Sequence, residues 1–326
     1  MSEWRYVLSQ SRATLLAFAF FVVMFAIYTS NHPAGFSANV VQTAANKGVL
    51  LALIAMAQTC VVITAGIDLS VGAVFVLSNC LASGIVVGTA ATATLGVIGV
   101  LATGLACGAV NGVIVIYGRL QPIVTTIATG AVFYGLALVL RPTPGGDVYS
   151  PLADALTGRA FDVLPASLIA LGAVVLVVWV PYSRSTIGRA AYAVGSSEQA
   201  AYMSGVPVDL AKFTAYVLSG LLASMAGLFL TFVTYSGEAS AATGGSYTLY
   251  SIAAVVLGGV SLYGGSGSAI GAIFGALMFR TIGDLLFVFN LDPLWQPLFQ
   301  GLVLLAAVSL GAARLFQVHN RLELFP

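Results

Sequence analysis

Few side chains in this sequence could do chemistry in water, and most of those fall inside apolar runs. Asp68 and Ser70 lie in Gly66-Ile67-Asp68-Leu69-Ser70-Val71-Gly72, a carboxylate and a hydroxyl flanked by glycines. That pattern implies a break between two helices. Either Asp68 or Ser70 caps the helix that follows, or the break belongs to a translocation path or its gate, where irregular backbone is tolerated in a membrane. Thr125 and Thr129, in Gln121-Pro122-Ile123-Val124-Thr125-Thr126-Ile127-Ala128-Thr129-Gly130, are four apart and share one helix face. Their hydroxyls can bond back to their own helix or face a passage. Gln58, Asn79 and Asn111 are the other strongly polar residues in apolar runs, able to tie helices together or to line a polar route. Arg280 and Asp284 stand one turn apart in a further apolar run. Each charge costs about 2.5–3.5 kcal/mol near a membrane-helix centre, so both must face protein or water. Their spacing predicts an ion pair, with Arg before Asp as the weaker order.

No catalytic constellation accompanies these residues. The two lysines, Lys47 and Lys212, are followed by Gly and Phe, so no GxxxxGK[ST] phosphate loop exists. HExxH, GxSxG and metal-ligand clusters are missing as well. Cys60, Cys80 and Cys107 lie in apolar runs without a CxxC spacing and read as small buried hydrophobes. His32 and His319 fall outside the runs and far apart. The expectation is a chain that is not an enzyme, does not hydrolyse ATP, and holds no cofactor or metal. Transport, a channel or a structural membrane role is left, and nothing resembles a selectivity filter or a ring of like charges.

The elements that position these residues follow from composition. Of 326 residues 59% are hydrophobic and 7% charged, against roughly 25% charged in soluble domains. Such a surface suits lipid, and a net charge of +1 offers nucleic acid no basic field. A spanning helix needs ~20 mainly apolar residues. Runs of that kind are Ala13–Tyr28, Gly48–Ala65, Val71–Gly88, Thr94–Tyr117, Pro122–Leu140, Ala166–Val180, Phe213–Tyr235, Tyr247–Leu262, Ser268–Asn290 and Leu294–Ala312. The fold class expected is an all-α integral membrane protein of about ten transmembrane helices, one domain over residues 1–326. The first run is read as a membrane anchor, because no small-x-small cleavage site follows it. Cytoplasmic termini place Arg5, Arg12, Arg119, Arg184, Arg189, Lys212, Arg314 and Arg321 inside, leaving Lys47, Arg141 and Arg159 outside. GxxxG steps at Gly104, Gly108 and Gly112, and at Gly267, Gly271 and Gly275, predict close helix crossings.

The longest inside loop is Pro181 to Lys212. Ser196 with Gln199 reads as a capping box, predicting a short helix from about Ser197 that Gly205 and Pro207 stop. A helix so short is marginal alone, so it is either a solvated turn or a docking element for a partner.

Four segments in order resemble the membrane permeases of sugar-type ABC importers (ribose, xylose, galactose and galactofuranose permeases), which are related to branched-chain amino-acid permeases. They are Gly66–Gly72, Pro122-Ile-Val-Thr continuing to Gly135-Leu-Ala-Leu, Gly188-Arg-Ala-Ala-Tyr-Ala-Val-Gly through Ser204-Gly205, and Ala253-Ala-Val-Val-Leu-Gly-Gly-Val-Ser-Leu-Tyr-Gly-Gly-Ser-Gly-Ser. The resemblance runs from about Asn39 to Leu310. It implies an ABC importer permease bundle in a bacterial cytoplasmic (inner) membrane. The implied partners are a separate ABC ATPase subunit carrying ATP and Mg, a second permease copy or paralogue, and an extracytoplasmic sugar-binding protein. It implies ATPase coupling through Gly188, Arg189, Ala190, Gly195, Glu198, Ala201 and Gly205. A path or gate would include Asp68, Ser70, Gln58, Asn79, Asn111, Thr125, Thr129, Arg280 and Asp284. The outer loop Arg141 to Pro165, with Asp147, Asp154, Arg159 and Asp162, is the candidate dock for the binding protein, or a solvated loop. Arg280 and Asp284 depart from the family pattern in that span. The rivals are a proton-coupled sugar carrier, with Asp68 and Asp284 as the span-associated carboxylates, and a branched-chain amino-acid permease.

Overall fold

A computed structural model describes residues 3–313, so Arg314, His319 and Arg321 lie outside the described residues. The chain is a helical bundle. In order come α1 (Glu3–Asn31), α2 (Ala38–Val62), α3 (Val71–Ile85), α4 (Ala90–Ile116), α5 (Pro122–Leu140) and α6 (Ser150–Thr157). A two-residue antiparallel hairpin, Arg159–Ala160 with Leu164–Pro165, precedes α7 (Ala166–Val174). Then follow α8 (Val180–Arg184), α9 (Thr186–Ser196), α10 (Glu198–Met203), α11 (Val208–Thr234), α12 (Ala241–Leu257), α13 (Ala269–Val288) and α14 (Gln296–Ala313).

Among the described residues, seven helical segments are long and apolar enough to cross a membrane: Arg12–Asn31, Ala38–Val62, Ala90–Ile116, Pro122–Leu140, Ala166–Arg184, Val208–Thr234 and Ala269–Val288. Three shorter apolar helices, Val71–Ile85, Ala241–Leu257 and Gln296–Ala306, overlap the other expected runs, the second of them starting six residues before the expected Tyr247. Large apolar side chains point outward along α1, α4 and α5, among them Phe20, Leu95, Ile98, Val124 and Val132. Water would penalise that surface; lipid does not.

The core gathers around α2, which is buried on all sides from Val49 to Val62 and is apolar around its whole circumference. α11 packs along α4, α2 and α3, and α13 packs along α1, α2 and α12. The expected glycine faces drive two of these crossings. A Cβ added at Gly104 would meet the Gly220 carbonyl oxygen at 2.5 Å, and one at Gly108 or Gly220 would collide with backbone of the facing helix. The α4 and α11 backbones are therefore in direct contact. Gly271 and Gly275 do the same against Gly258 and Ala254, while Gly267 differs: it sits in the turn before α13 with φ +116°.

Helix boundaries depart from the expected runs for local reasons. α2 begins at Ala38 rather than near Gly48, because Ser37 caps it by accepting from the Val40 N–H at 3.4 Å and Lys47 finds a carboxylate inside the bundle. The sixth run extends past Pro181 to Arg184, because a π turn at Val175–Trp179 absorbs the ring's missing N–H.

Candidate functional site

The Asp68 segment joins α2 to α3 as irregular backbone, with Ala65 at φ +62°. Asp68 is only 2% exposed. Its Oδ1 accepts from the Ser70 N–H at 2.9 Å and from Ser70 Oγ at 2.6 Å, and its Oδ2 accepts from Ser219 Oγ of α11 at 2.9 Å. A desolvated carboxylate needs such donors. Ser70 Oγ in turn accepts from Asn111 Nδ2 of α4 at 2.7 Å, and Asn111 Oδ1 accepts from Thr129 Oγ1 of α5 at 2.5 Å. Around this knot the Leu69 N–H donates to Thr126 Oγ1 at 3.0 Å, and the Gly72 N–H donates to Thr248 Oγ1 of α12 at 3.1 Å. One break is thus tied to four other helices.

The capping alternative for Ser70 does not hold: it occupies the N-cap position, but its hydroxyl makes no cap bond because Asp68 and Asn111 engage it sideways. Thr125 is buried with its hydroxyl unpaired, and its neighbour Thr126 holds the break instead. Ser219, Thr126 and Thr248 had no distinguishing signal in the sequence, since single hydroxyls in apolar helices are common and usually bond back to their own turn.

The remaining polar residues sit elsewhere. Gln58 is fully buried in α2 with neither amide atom hydrogen-bonded. Asn79 forms a second tie: its Nδ2 donates to Thr231 Oγ1 at 2.9 Å and to the Ser236 carbonyl at 3.0 Å, and its Oδ1 accepts from the Glu238 N–H. The expected Arg280–Asp284 pair is replaced. Asp284 pairs with Lys47 of α2 at 3.8 Å, and Arg280 Nε is buried without a hydrogen-bond partner among the described residues. Lys47 reaches Asp284 because the early start of α2 puts it on a helix packed along α13, with its side chain still 43% exposed.

The loop after the sixth run holds two helices where one short helix was expected. α9 starts at Ser185, whose Oγ accepts from the Gly188 N–H at 2.9 Å. The cap of α10 is Ser197, which accepts from the Ala200 N–H at 3.3 Å, so the cap is one residue later than the Ser196 expected. Ser196 closes α9 and donates to the Tyr192 carbonyl instead. Gly188, Ala190, Gly195 and Ala201 are buried, whereas Arg189, Glu198 and Gly205 are exposed. Glu198 pairs with Lys212 at 2.6 Å, and Gly205 turns the chain at φ +75° with open space where a Cβ would stand. Tyr202 and Met203, 75% and 80% exposed, form an apolar tip that sequence reasoning did not single out.

α9 meets two breaks at once. A Cβ on Gly195 would strike the Ile63 carbonyl oxygen at the end of α2 and the Gly265 nitrogen in the α12–α13 turn. The Gly265 N–H donates to that same Ile63 carbonyl at 2.9 Å. Tyr192 Oη donates to the Gly267 carbonyl at 2.8 Å, and burial pushes its phenol up to about 12, so it remains a neutral donor at ordinary pH. α9 therefore touches the end of α2 and the α12–α13 turn through backbone.

The outer loop is held in place as well. α6 carries Asp154, which accepts from Tyr235, and Asp147 accepts from the Val148 N–H at 2.7 Å. Gln42 and Asn46 both donate to the Thr157 carbonyl at 2.8 Å. The hairpin tip, with Phe161, Asp162 and Val163, stays exposed. Among the described residues no group of three or more His, Cys, Asp or Glu could hold a metal ion.

A bundle with an outward apolar surface, a buried polar break and an exposed helical knob against the end of α2 has the form of a multi-pass membrane protein. A family model described as branched-chain amino acid transport system / permease component matches residues 40–308, and the chain belongs to that permease family. It is 36% identical over 260 residues to the ribose import permease protein RbsC of Bacillus subtilis, covering 79% of this chain and 80% of that one. It is 39% identical over 269 residues to a probable ABC transporter permease protein of Sinorhizobium fredii, covering 80% and 78%. It is 30% identical over 297 residues to the D-allose transport system permease protein AlsC of Escherichia coli, covering 90% of each. No solved structure matches.

Proposed function

We propose that this chain is the membrane-spanning permease subunit of an ATP-binding-cassette importer, moving a sugar delivered by an extracytoplasmic binding protein. ATP is hydrolysed on a separate ATPase subunit, and this chain itself holds no cofactor. The observation that carries the reading is the Gly195 junction. The knob α9–α10 presents Arg189, Glu198, Tyr202, Met203 and Gly205 outward, while its buried side is in backbone contact with the end of α2 and the α12–α13 turn. A push on that knob is transmitted to the Asp68 knot, which opens or closes the path by a two-state tilt of the helices. Sugar as the cargo rests on relatives named for ribose, D-allose and fructose import. The family description's branched-chain amino acids are the second reading.

On this proposal ten helices span the inner membrane of a bacterium, with the three shorter apolar helices among them. The single domain covers residues 1–326, both termini and the knob are cytoplasmic, and a second permease copy or paralogue completes the path. Asp68, Ser70, Asn111 and Thr129 form the gate, with Gln58 and Thr125 as further buried polar groups that find partners in another state. Leaving such groups unpaired costs about 1–3 kcal/mol each, and a route that wets in turn explains their retention. The hairpin tip at Phe161 is the dock for the binding protein. Glu198→Ala and Gly205→Ala should lower sugar moved per ATP hydrolysed in the reconstituted complex while leaving the melting temperature of the permease within a few degrees. Unchanged coupling in both variants would remove the knob from the mechanism.

A further inference from the structure

Arg280 and Asp284 line two cavities that adjoin. The first, about 540 Å³, has a mixed wall and lies at the end of the bundle opposite the knob; Lys47, His32, Asn39 and Gln296 share it with Phe287 and Leu291. The second, about 620 Å³, is a groove between α1, α2, α7 and α13, walled by Phe21, Phe25, Ala45, Leu168, Leu171 and Phe274. It faces the lipid side: Leu176 on its rim is 68% exposed, and a Cβ added at Gly172 would meet nothing. Along α13 the groove runs from Ile270 to Asp284, ~21 Å at 1.5 Å per residue.

The charges at the junction do not balance. Lys47 and Arg280 face one carboxylate, Asp284, which Lys47 takes at 3.8 Å, while Arg280 Nε is buried and unpaired among the described residues. A guanidinium in a spanning helix is retained where it meets an anion or water, and its fork suits phosphate oxygens. A free sugar brings no charge to Arg280 and leaves the apolar groove empty. An anion without a tail leaves it empty too.

We infer that these two cavities hold one membrane phospholipid, its phosphate on Arg280 and Lys47 and an acyl chain along the groove between α1 and α7. A lipid seated there buttresses α13 against α2. The site does not depend on what the permease carries, and its test is read without transport.

The experiment is native mass spectrometry of the full chain released from vesicles of phosphatidylethanolamine and phosphatidylglycerol. One phospholipid should survive detergent exchange. Arg280→Gln should cut that retention roughly tenfold, the equivalent of about 1.4 kcal/mol, and Arg280→Lys should keep most of it. Gly172→Phe, which fills the groove and leaves every charge in place, should also cut it. Retention unchanged by Arg280→Gln, no retained lipid in the wild type, or displacement by inorganic phosphate would each overturn the assignment. A phospholipid with a photoreactive acyl chain tests it in the wild type alone: label should concentrate on α1, α7 and α13. Even labelling of α4 and α5 would contradict it.

Discussion

Asp68 receives three hydrogen bonds in a site closed to water, so its replacement is costly in a graded way. Asp68→Ala leaves the donors of Ser70 and Ser219 without their acceptor and should destabilise the protein by about 3 kcal/mol. Asp68→Asn keeps the shape and one acceptor oxygen and should cost about 1 kcal/mol. Thermal unfolding of the purified variants checks the order, and equal losses would mean the carboxylate does not organise the knot. At this scale the sequence was partly legible. The flanking glycines and the rarity of a carboxylate there marked Asp68 and Ser70, and amides in apolar runs marked Asn111. Ser219 and Thr248 were illegible, since their partners lie 151 and 176 residues away. The pairing of Arg280 was misjudged for the same reason: spacing along one helix suggested Asp284, but Lys47 reached it from another.

Among the elements, the helices that recur at glycine crossings divide into those that hold and those that transmit. α4 meets α11 through Gly104, Gly108 and Gly220, deep in the bundle. Gly108→Leu should separate these helices and lower the melting temperature and transport together. Gly195 sits where α9 meets the end of α2 and the α12–α13 turn, at one end of the bundle. Gly195→Ala should instead reduce coupling, measured as sugar moved per ATP, by more than its loss of stability explains. If both variants lose stability and coupling in the same proportion, α9 is a structural clamp rather than a transmitter. Long apolar runs made the spanning helices readable, because length and hydropathy suffice for them. α9 escaped notice, since an 11-residue amphipathic helix capped by Ser185 looks like loop sequence until its buried face has something to pack on. The early start of α2 was hidden as well, because the charge of Lys47 marked a boundary that Asp284 removes.

For the whole molecule the charges are the thread. At 7% they excluded a soluble protein, and their positions set the expected orientation. In the structure the described ion pairs fall at opposite ends of the bundle, Lys212 with Glu198 on the knob and Lys47 with Asp284 in the cavity at the other end. On the proposed function the knob end receives work from the ATPase, and the Asp68 knot gates the path. Membership of the permease family and relatives named for sugar import support the proposed transport role, and ATP drive from a separate chain is that proposal's central claim. Uptake of labelled sugar into proteoliposomes tests it most directly. With the cognate ATPase and binding protein, uptake should require internal ATP at the ATPase and survive collapse of the proton gradient. Robust accumulation by this chain alone under a proton gradient, without ATP, would contradict it.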